Sequence, residues 1–153
     1  MKVMLLACLI LLCGVSYSQE SVTTSAVPVS KNIDASTWQT YVETANIKIE
    51  YRKVNCDPNS GMHFQGIMFR FTNLTSSQLE LNWHLDLDYD GTCRTCGSDE
   101  YNRSLSLGPN EVKEGDCNTN TNRTLDLFVK FIDAAYSKGA ELTSFTLNDM
   151  TVQ

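Results

Sequence analysis

Two short segments in the middle of the chain carry residue types whose spacing could do chemistry. The first is Cys93-Arg94-Thr95-Cys96. A c-type haem site needs a histidine directly after the second cysteine, and this chain has Gly97 there. A thioredoxin-like redox pair stands at the start of a helix, but the residues after Cys96 predict a loop and a strand. A four-cysteine zinc site usually has two such pairs, whereas Cys56 and Cys117 each stand alone. Structural disulfides are therefore the favoured interpretation.

The second segment, Asp86-Leu87-Asp88-Tyr89-Asp90-Gly91, matches the opening of a calcium-binding loop. The twelfth position of such a loop should be a glutamate, but it is Gly97 here, and strands rather than helices are predicted on both sides. A solvated acidic face is thus favoured over a calcium site or a contact with a cationic partner. His84 lies near these aspartates, which favour its charged form. Because we find no cofactor motif and no nucleophile motif, we assign no catalytic, cofactor-binding or metal-ligating residue from the sequence.

The elements that position these segments are predicted to be strands, because apolar and polar residues alternate along the chain. The clearest case is 79–90, where every odd position is apolar or aromatic and every even position is polar. Further strands are predicted at about 47–56, 62–71, 101–107, 111–117, 123–132 and 142–152. In the last of these, the apolar positions change parity near Asn148, which predicts a β-bulge. The pattern predicts a single antiparallel β-sandwich of about seven strands, immunoglobulin-like or related.

The strand register leads to a prediction for the disulfides. We expect strands 62–71 and 79–90 to form a hairpin, because that pairing puts Arg70 opposite Glu80 and the apolar residues opposite one another. It would also bring the end of the first strand close to the loop after the third. All four cysteines are then expected at one end of the sandwich. The expected pairs are Cys56–Cys93 and Cys96–Cys117, and the alternative is Cys93–Cys96 with Cys56–Cys117.

The N-terminal segment predicts where the protein acts, and the net charge limits which partners it can bind. Residues 1–18 have the pattern of a signal peptide, with Lys2 before an apolar run and cleavage expected after Ser18. Cleavage would leave 135 of the 153 residues and four of the six cysteines. We expect a polar N-terminal arm at 19–37 and a sandwich domain at 38–153, with no membrane span after cleavage. The net charge of −6 argues against nucleic acid as a partner, because phosphate binding requires Lys and Arg.

Several motifs together resemble a known group of proteins. They are the signal ending Ser-Tyr-Ser, the strand IKIEYRKVNC, the run FRFTNLT, the CRTC loop, the turn leading to EGDC, and LFVKFID. The chain from 38 to 152 resembles small secreted proteins of Bacteroidota that have no assigned function. The resemblance implies a sandwich in the periplasm or outside the cell, and it brings no site residues with it.

We therefore predict a secreted or periplasmic, non-enzymatic β-sandwich that binds a protein or glycan ligand or interacts with the cell envelope. Its ligand is expected at the end loops, 56–62, 90–100 and 117–123, since function on such scaffolds usually lies in loops. One alternative is a small secreted hydrolase acting on polysaccharide or peptidoglycan, which would need two close carboxylates, one with a raised pKa. Another is an envelope protein that binds calcium or zinc through the aspartates or the CRTC loop.

Overall fold

The computed structural model describes residues 19–29, 37–57, 63–117, 124–133, 135 and 138–153. The predicted signal peptide, 1–18, lies outside these residues, as do 58–62 and 118–123 of the predicted ligand loops. The described residues form eleven strands and one short 3₁₀ turn, Asp99–Tyr101. The strands are β1 Glu20–Ser21, β2 Val27–Pro28, β3 Gln39–Glu43, β4 Ile47–Cys56, β5 Phe64–Asn73, β6 Leu79–Tyr89, β7 Thr92–Cys93, β8 Asn102–Leu107, β9 Val112–Glu114, β10 Asp126–Phe131 and β11 Leu142–Val152. Within the described part of the chain, no helix is long and apolar enough to cross a membrane.

The strands form two antiparallel sheets that pack face to face. In the six-stranded sheet, β11 pairs with β6, β1 and β2 pair with the free side of β11, and β7 and β8 pair with the free side of β6. In the five-stranded sheet, β3, β4 and β5 are neighbours in order, and β9 and β10 both pair with the free side of β5. The predicted antiparallel β-sandwich is confirmed.

The core lies between the sheets and follows the alternation of the sequence. Along β6 every odd position from Leu79 to Leu87 is buried, while the even positions are exposed or half-buried, as predicted. Phe145 of β11 lies at the centre, with its ring 5.4 Å from that of Phe69 and 5.5 Å from that of Tyr51. Burial of one such ring contributes about 1.5–3 kcal/mol to stability, and each edge-to-face pair adds about 0.5–1.5 kcal/mol. These aromatic contacts hold the two sheets in one relative position.

Two edge strands of the sandwich are interrupted by excursions of the chain. The segments β7 and β8 lie along the same side of β6, and residues 94–101 leave the sheet between them. The segments β9 and β10 lie in the same way along β5, and the chain segment that joins them, 115–125, is the second excursion. Its two ends, Gly115 and Leu125, still bond the backbone of Phe69. At the base of this second excursion, a Cβ on Gly115 would lie 2.2 Å from the carbonyl oxygen of Leu125. Only glycine allows the chain to close there.

The predicted hairpin between strands 62–71 and 79–90 is wrong. These segments are β5 and β6, which lie in opposite sheets, because the connection between them crosses the sandwich. Asn73 holds this crossover, since its amide donates hydrogen bonds to the carbonyl oxygens of Ser77 (2.7 Å) and Gly108 (2.8 Å). Arg70 therefore pairs with Glu50 of β4 rather than with Glu80. The alternation defines the buried face of a strand but not its neighbour.

The favoured disulfide pairing is also wrong, because it rested on that hairpin, and the alternative pairing is the one observed. The disulfides are Cys56–Cys117, which closes 61 positions of sequence, and Cys93–Cys96, which closes three. The first lies where β4 ends, and the second lies beside the last residues of β6. Both lie toward one end of the sandwich, where the Tyr89 hydroxyl donates to the carbonyl of Phe128 at 2.8 Å.

The expected N-terminal arm, 19–37, is in part a component of the sandwich. Residues of β1 and β2 pair with β11, and the backbone N–H of Val22 donates to the carbonyl of Met150 at 2.9 Å. Val22 and Val29 are buried in the core. The prediction of an arm separate from the sandwich is therefore wrong for 19–29. These strands contain two residues each, which is too short for alternation to be seen in the sequence.

Candidate functional site

A polar groove of about 630 Å³ lies on the outer face of the six-stranded sheet. Its floor comes from β6, because the even positions of that strand point away from the core. These floor residues are Asn82, His84 and Asp86. The groove therefore includes two of the residues that drew attention in the sequence, His84 and Asp86.

One wall of the groove is the excursion between β7 and β8. Cys96, Gly97 and Asp99 line it, followed by Asn102 and Arg103 at the start of β8. This wall contains part of one predicted ligand loop, 90–100. Asp99 and Asn102 carried no signal in the sequence, since nothing there indicates that the excursion folds back beside β6.

The opposite wall is formed by the bulge of β11, whose position near Asn148 was predicted. The register changes between Asn148, which faces His84, and Thr151, which faces Asn82. Asp149 within this bulge has φ of 51°, a left-handed conformation that aspartate tolerates better than most residues. The extra residue leaves Asn148 and Asp149 exposed at the rim of the groove. A parity change can locate such a bulge, but it does not show which strand the bulge faces.

His84 is held between two oxygen acceptors. Its Nδ1 lies 2.8 Å from Oδ1 of Asp86, and its Nε2 lies 3.0 Å from the carbonyl oxygen of Ser98. Asp86 is therefore the aspartate of this segment that contacts the ring. The His84 side chain links the floor of the groove to its wall.

The three aspartates of the calcium-like segment do not converge on one point. Asp86 contacts His84, the carboxylate of Asp88 accepts a hydrogen bond from the hydroxyl of Ser144, and Asp90 accepts one from the backbone N–H of Glu141 at 3.2 Å. Each carboxylate therefore has a separate protein partner.

The end of the calcium-like segment has a structural explanation instead. Asp90 has φ of 51° and Gly91 has φ of 76°. Positive φ at both central residues is the signature of the type I′ turn, for which Asp-Gly is a preferred sequence. This turn joins β6 to β7, and Tyr89 pairs with Thr92 across it. The motif that resembles a calcium loop is therefore a hairpin turn preceded by a half-solvated strand.

The CRTC loop is attached to the edge of β6 by Thr95. The buried Oγ1 of Thr95 accepts a hydrogen bond from the N–H of Leu87 (2.8 Å) and donates one to the carbonyl of Leu85 (2.7 Å). These two backbone groups lie where neither β7 nor β8 pairs with β6. The threonine hydroxyl thus replaces the missing stretch of neighbouring strand and fixes the position of the loop.

Other residues that could do chemistry lie outside the groove. His63 contacts Asp57 at 2.7 Å and Asp133 at 3.5 Å, where β5 begins. Trp38 is flanked by two guanidinium groups, those of Arg52 (4.5 Å) and Arg70 (4.4 Å). The structure does not bring these residues to His84 or Asp86.

Comparison of the chain with protein-family models, with curated proteins and with solved structures found no match in any of the three.

Proposed function

We propose that the protein is a secreted, non-enzymatic binding module that holds a glycan in the groove on the outer face of its six-stranded sheet. The observation that carries this proposal is the lining of the groove. Three amide side chains, those of Asn82, Asn102 and Asn148, face the same space as several carboxylates. Amides both donate and accept hydrogen bonds, and carboxylates accept them. Such a surface matches a ligand with many hydroxyl groups better than an apolar one.

The charge of the groove narrows the class of glycan. The lining includes three carboxylates, those of Asp86, Asp99 and Asp149, against the guanidinium of Arg103 and the ring of His84. Like charges facing one another across an interface oppose binding. We therefore infer that the ligand is a neutral or amine-bearing sugar rather than an acidic one.

The proposed location follows from the cysteines. Both disulfides of the structure join cysteines of the part that would remain after cleavage at Ser18. Disulfides persist in oxidising compartments such as the periplasm and the exterior of the cell. This supports export, and the resemblance to secreted proteins of Bacteroidota points the same way.

The binding proposal is tested by titrating the protein with three soluble oligosaccharides while recording amide NMR spectra. The probes are chitin oligomers (neutral), chitosan oligomers (amine-bearing) and oligogalacturonate (acidic). Shifts at β6, 96–103 and the β11 bulge with the neutral or amine-bearing probes would support the proposal. Shifts confined to the five-stranded sheet, shifts with oligogalacturonate alone, or no shift with any probe would contradict it.

Matched variants sharpen the titration. Asn102→Ala and Asn148→Ala each remove an exposed amide from the groove, and we expect affinity to fall about 2- to 12-fold, the value of one hydrogen bond. Asn55→Ala removes an exposed amide from β4 of the other sheet and should leave affinity unchanged. Equal losses in all three variants would contradict a site in the groove.

One observation favours a second candidate function, the hydrolase. The groove holds Asp86, Asp99 and Asp149 together, and a glycosidase uses a pair of carboxylates. Release of reducing ends from chitin or peptidoglycan by the wild-type protein, but not by Asp99→Asn or Asp149→Asn, would replace the binding proposal with this one. We expect no release by any of the three proteins.

A further inference from the structure

The CRTC loop and β6 bring two sulfur atoms and one carboxylate to the same place. The Sγ atoms of Cys93 and Cys96 and a carboxylate oxygen of Asp86 all lie within 4.8 Å of one another. Among the described residues, this is the group of three acidic, cysteine or histidine side chains found close enough to share an ion. Sulfur and carboxylate oxygen together are ligands that zinc accepts.

The backbone of the loop is already arranged for two sulfur ligands. The N–H of Cys96 donates to Sγ of Cys93 at 3.1 Å, a contact that would stabilise a thiolate there once the disulfide is reduced. Gly97 follows with φ of 74°, and the N–H of Ser98 donates to the carbonyl of Thr95 at 3.1 Å, which closes the turn. The two Cα atoms are 5.8 Å apart. In a tetrahedral zinc site two sulfurs are about 3.8 Å apart, since each Zn–S bond is about 2.3 Å. Cα atoms at this separation can place their sulfurs at that distance.

The contacts that hold the loop do not depend on the bond between the sulfurs. The Thr95 hydroxyl binds the backbone of β6 on both sides, and the N–H of Arg94 donates to the carbonyl of Leu87 at 2.9 Å. Cys93 itself belongs to β7, which pairs with β6. Opening the disulfide therefore leaves both cysteines beside Asp86.

The carboxylate is also held in place. Oδ1 of Asp86 contacts Nδ1 of His84, and the other ring nitrogen of His84 contacts the carbonyl of Ser98 in the loop. Ligands of metal sites are usually oriented by such hydrogen bonds from neighbouring groups, whose loss lowers metal affinity about 10- to 100-fold. His84 is thus a positioning residue that fixes Asp86 relative to the sulfurs.

We propose that the Cys93–Cys96 pair, once reduced, binds one zinc ion together with Asp86, with water as the fourth ligand. An external thiol or dithiol supplies the two electrons and two protons that break the S–S bond, and it becomes a disulfide itself. The zinc ion then displaces the two protons from the thiols and binds the two thiolates. The disulfide and the zinc site are alternative states of one loop. This inference does not rest on the glycan proposal, because it concerns the wall of the groove and not its occupant.

The experiment compares zinc binding by the oxidised and the reduced protein. One equivalent of a phosphine reductant is added and then removed, and the thiols are counted and mapped by mass spectrometry. We expect two thiols per chain at Cys93 and Cys96, because Cys96 is exposed whereas Cys56 is buried. Zinc affinity is measured by competition with a chromophoric chelator. Cobalt substitution should give thiolate-to-metal charge-transfer bands and the ligand-field bands of a tetrahedral site.

Four variants separate the parts of the proposal. Cys93→Ser with Cys96→Ser should abolish binding while the β-sheet circular dichroism is retained. Asp86→Asn should weaken binding at least about tenfold, whereas Asp88→Asn, which removes an equal charge two positions along the same face, should leave it within about twofold. His84→Ala should weaken zinc binding about tenfold without reducing the sulfur charge-transfer intensity.

Three results would overturn the proposal. The first is a reduced protein that binds zinc no tighter than the double serine variant. The second is equal zinc affinity for Asp86→Asn and Asp88→Asn, which would leave the carboxylate with no role as a ligand. The third is equal zinc binding by the oxidised and the reduced protein, which would place the metal away from the cysteines.

Discussion

The two disulfides differ in what they do for the fold, and their removal should show it. We expect the double variant Cys56→Ala with Cys117→Ala to lose much more stability than Cys93→Ala with Cys96→Ala. Closing a loop restricts the unfolded chain, and the stabilisation grows with loop length. For the separations of 61 and three residues, the chain-entropy relation gives about 4.3 and about 1.6 kcal/mol. The expected difference in the free energy of unfolding is thus about 2.7 kcal/mol.

Packing acts in the same direction as loop length. Cys56 is 1% exposed and belongs to a small apolar cluster on the outer side of the five-stranded sheet, with Phe64 and Met68. Cys117 packs against this cluster from the second excursion. Cys96, by contrast, is exposed, and Thr95 holds its loop independently. The measured difference should therefore not fall below the value from loop length.

The assay is equilibrium unfolding in urea, followed by circular dichroism and by tryptophan fluorescence. The midpoint for the Cys93 and Cys96 double variant should fall by the equivalent of about 1.6 kcal/mol, and the midpoint for the other variant should fall by the equivalent of about 4.3 kcal/mol or more. Coincident transitions by both probes would confirm that each variant unfolds in two states. The reasoning fails if removing Cys93 and Cys96 costs as much as removing Cys56 and Cys117. That result would mean that the CRTC disulfide, and not Thr95, holds the excursion on β6.

Three further perturbations test other contacts. Gly115→Ala puts a Cβ 2.2 Å from a backbone oxygen and should cost about 2–4 kcal/mol in thermal unfolding through overpacking and a weakened hydrogen bond. The control, Gly108→Ala, meets only the side chain of Glu111, at 3.4 Å or more, and should stay within about 0.5 kcal/mol. Thr95→Val leaves two backbone groups of β6 without partners and should lower the free energy of unfolding by about 2 kcal/mol or more. Amide exchange should be faster at those residues. Thr95→Ser keeps the hydroxyl and should retain most of the stability. Burial raises the pKa of Glu50, but hydrogen bonds, chiefly from Arg70, outweigh this and hold the pKa below 4.5. Its stabilising effect is therefore present above that value and lost as the pH falls through the lowered pKa, so the acid unfolding of Glu50→Gln should depend less on pH.

The sequence was sufficient to predict which face of each strand is buried, but not which strands are neighbours in a sheet. The strict alternation from Leu79 to Tyr89 predicts both the strand β6 and its buried side, because burial of one face is a local property of the strand. Whether β6 pairs with β5 depends on the path of residues 74–78, and the alternation is equally satisfied when the two strands face each other across the core. Two of the predictions that failed, the hairpin and the favoured disulfides, depended on that connection.

Some residues of the candidate site could be identified from the sequence, and others could not. His84 and Asp86 could be identified because their spacing of two places them on one face of one strand. Asp99 and Asn148 could not, because they come from an excursion and a bulge that only the folded chain brings beside β6. The sequence of the aspartate motif suggested a calcium site more strongly than the structure does. Its last two residues, Asp90 and Gly91, are those that a type I′ hairpin turn requires.

The interrupted strands have a consequence for how this protein can meet other chains. A long straight strand at the edge of a sheet is a template for aggregation or for the addition of a partner's strand. In the described residues all four outer edges are broken. Residues 22–26 separate β1 from β2, β3 has a register shift after Thr40, and two excursions divide the other edges. Among these residues no edge offers a continuous ladder to a foreign strand, which disfavours edge-to-edge polymerisation. We therefore expect a protein partner to contact side chains on the faces of the sandwich rather than to add a strand at its edges.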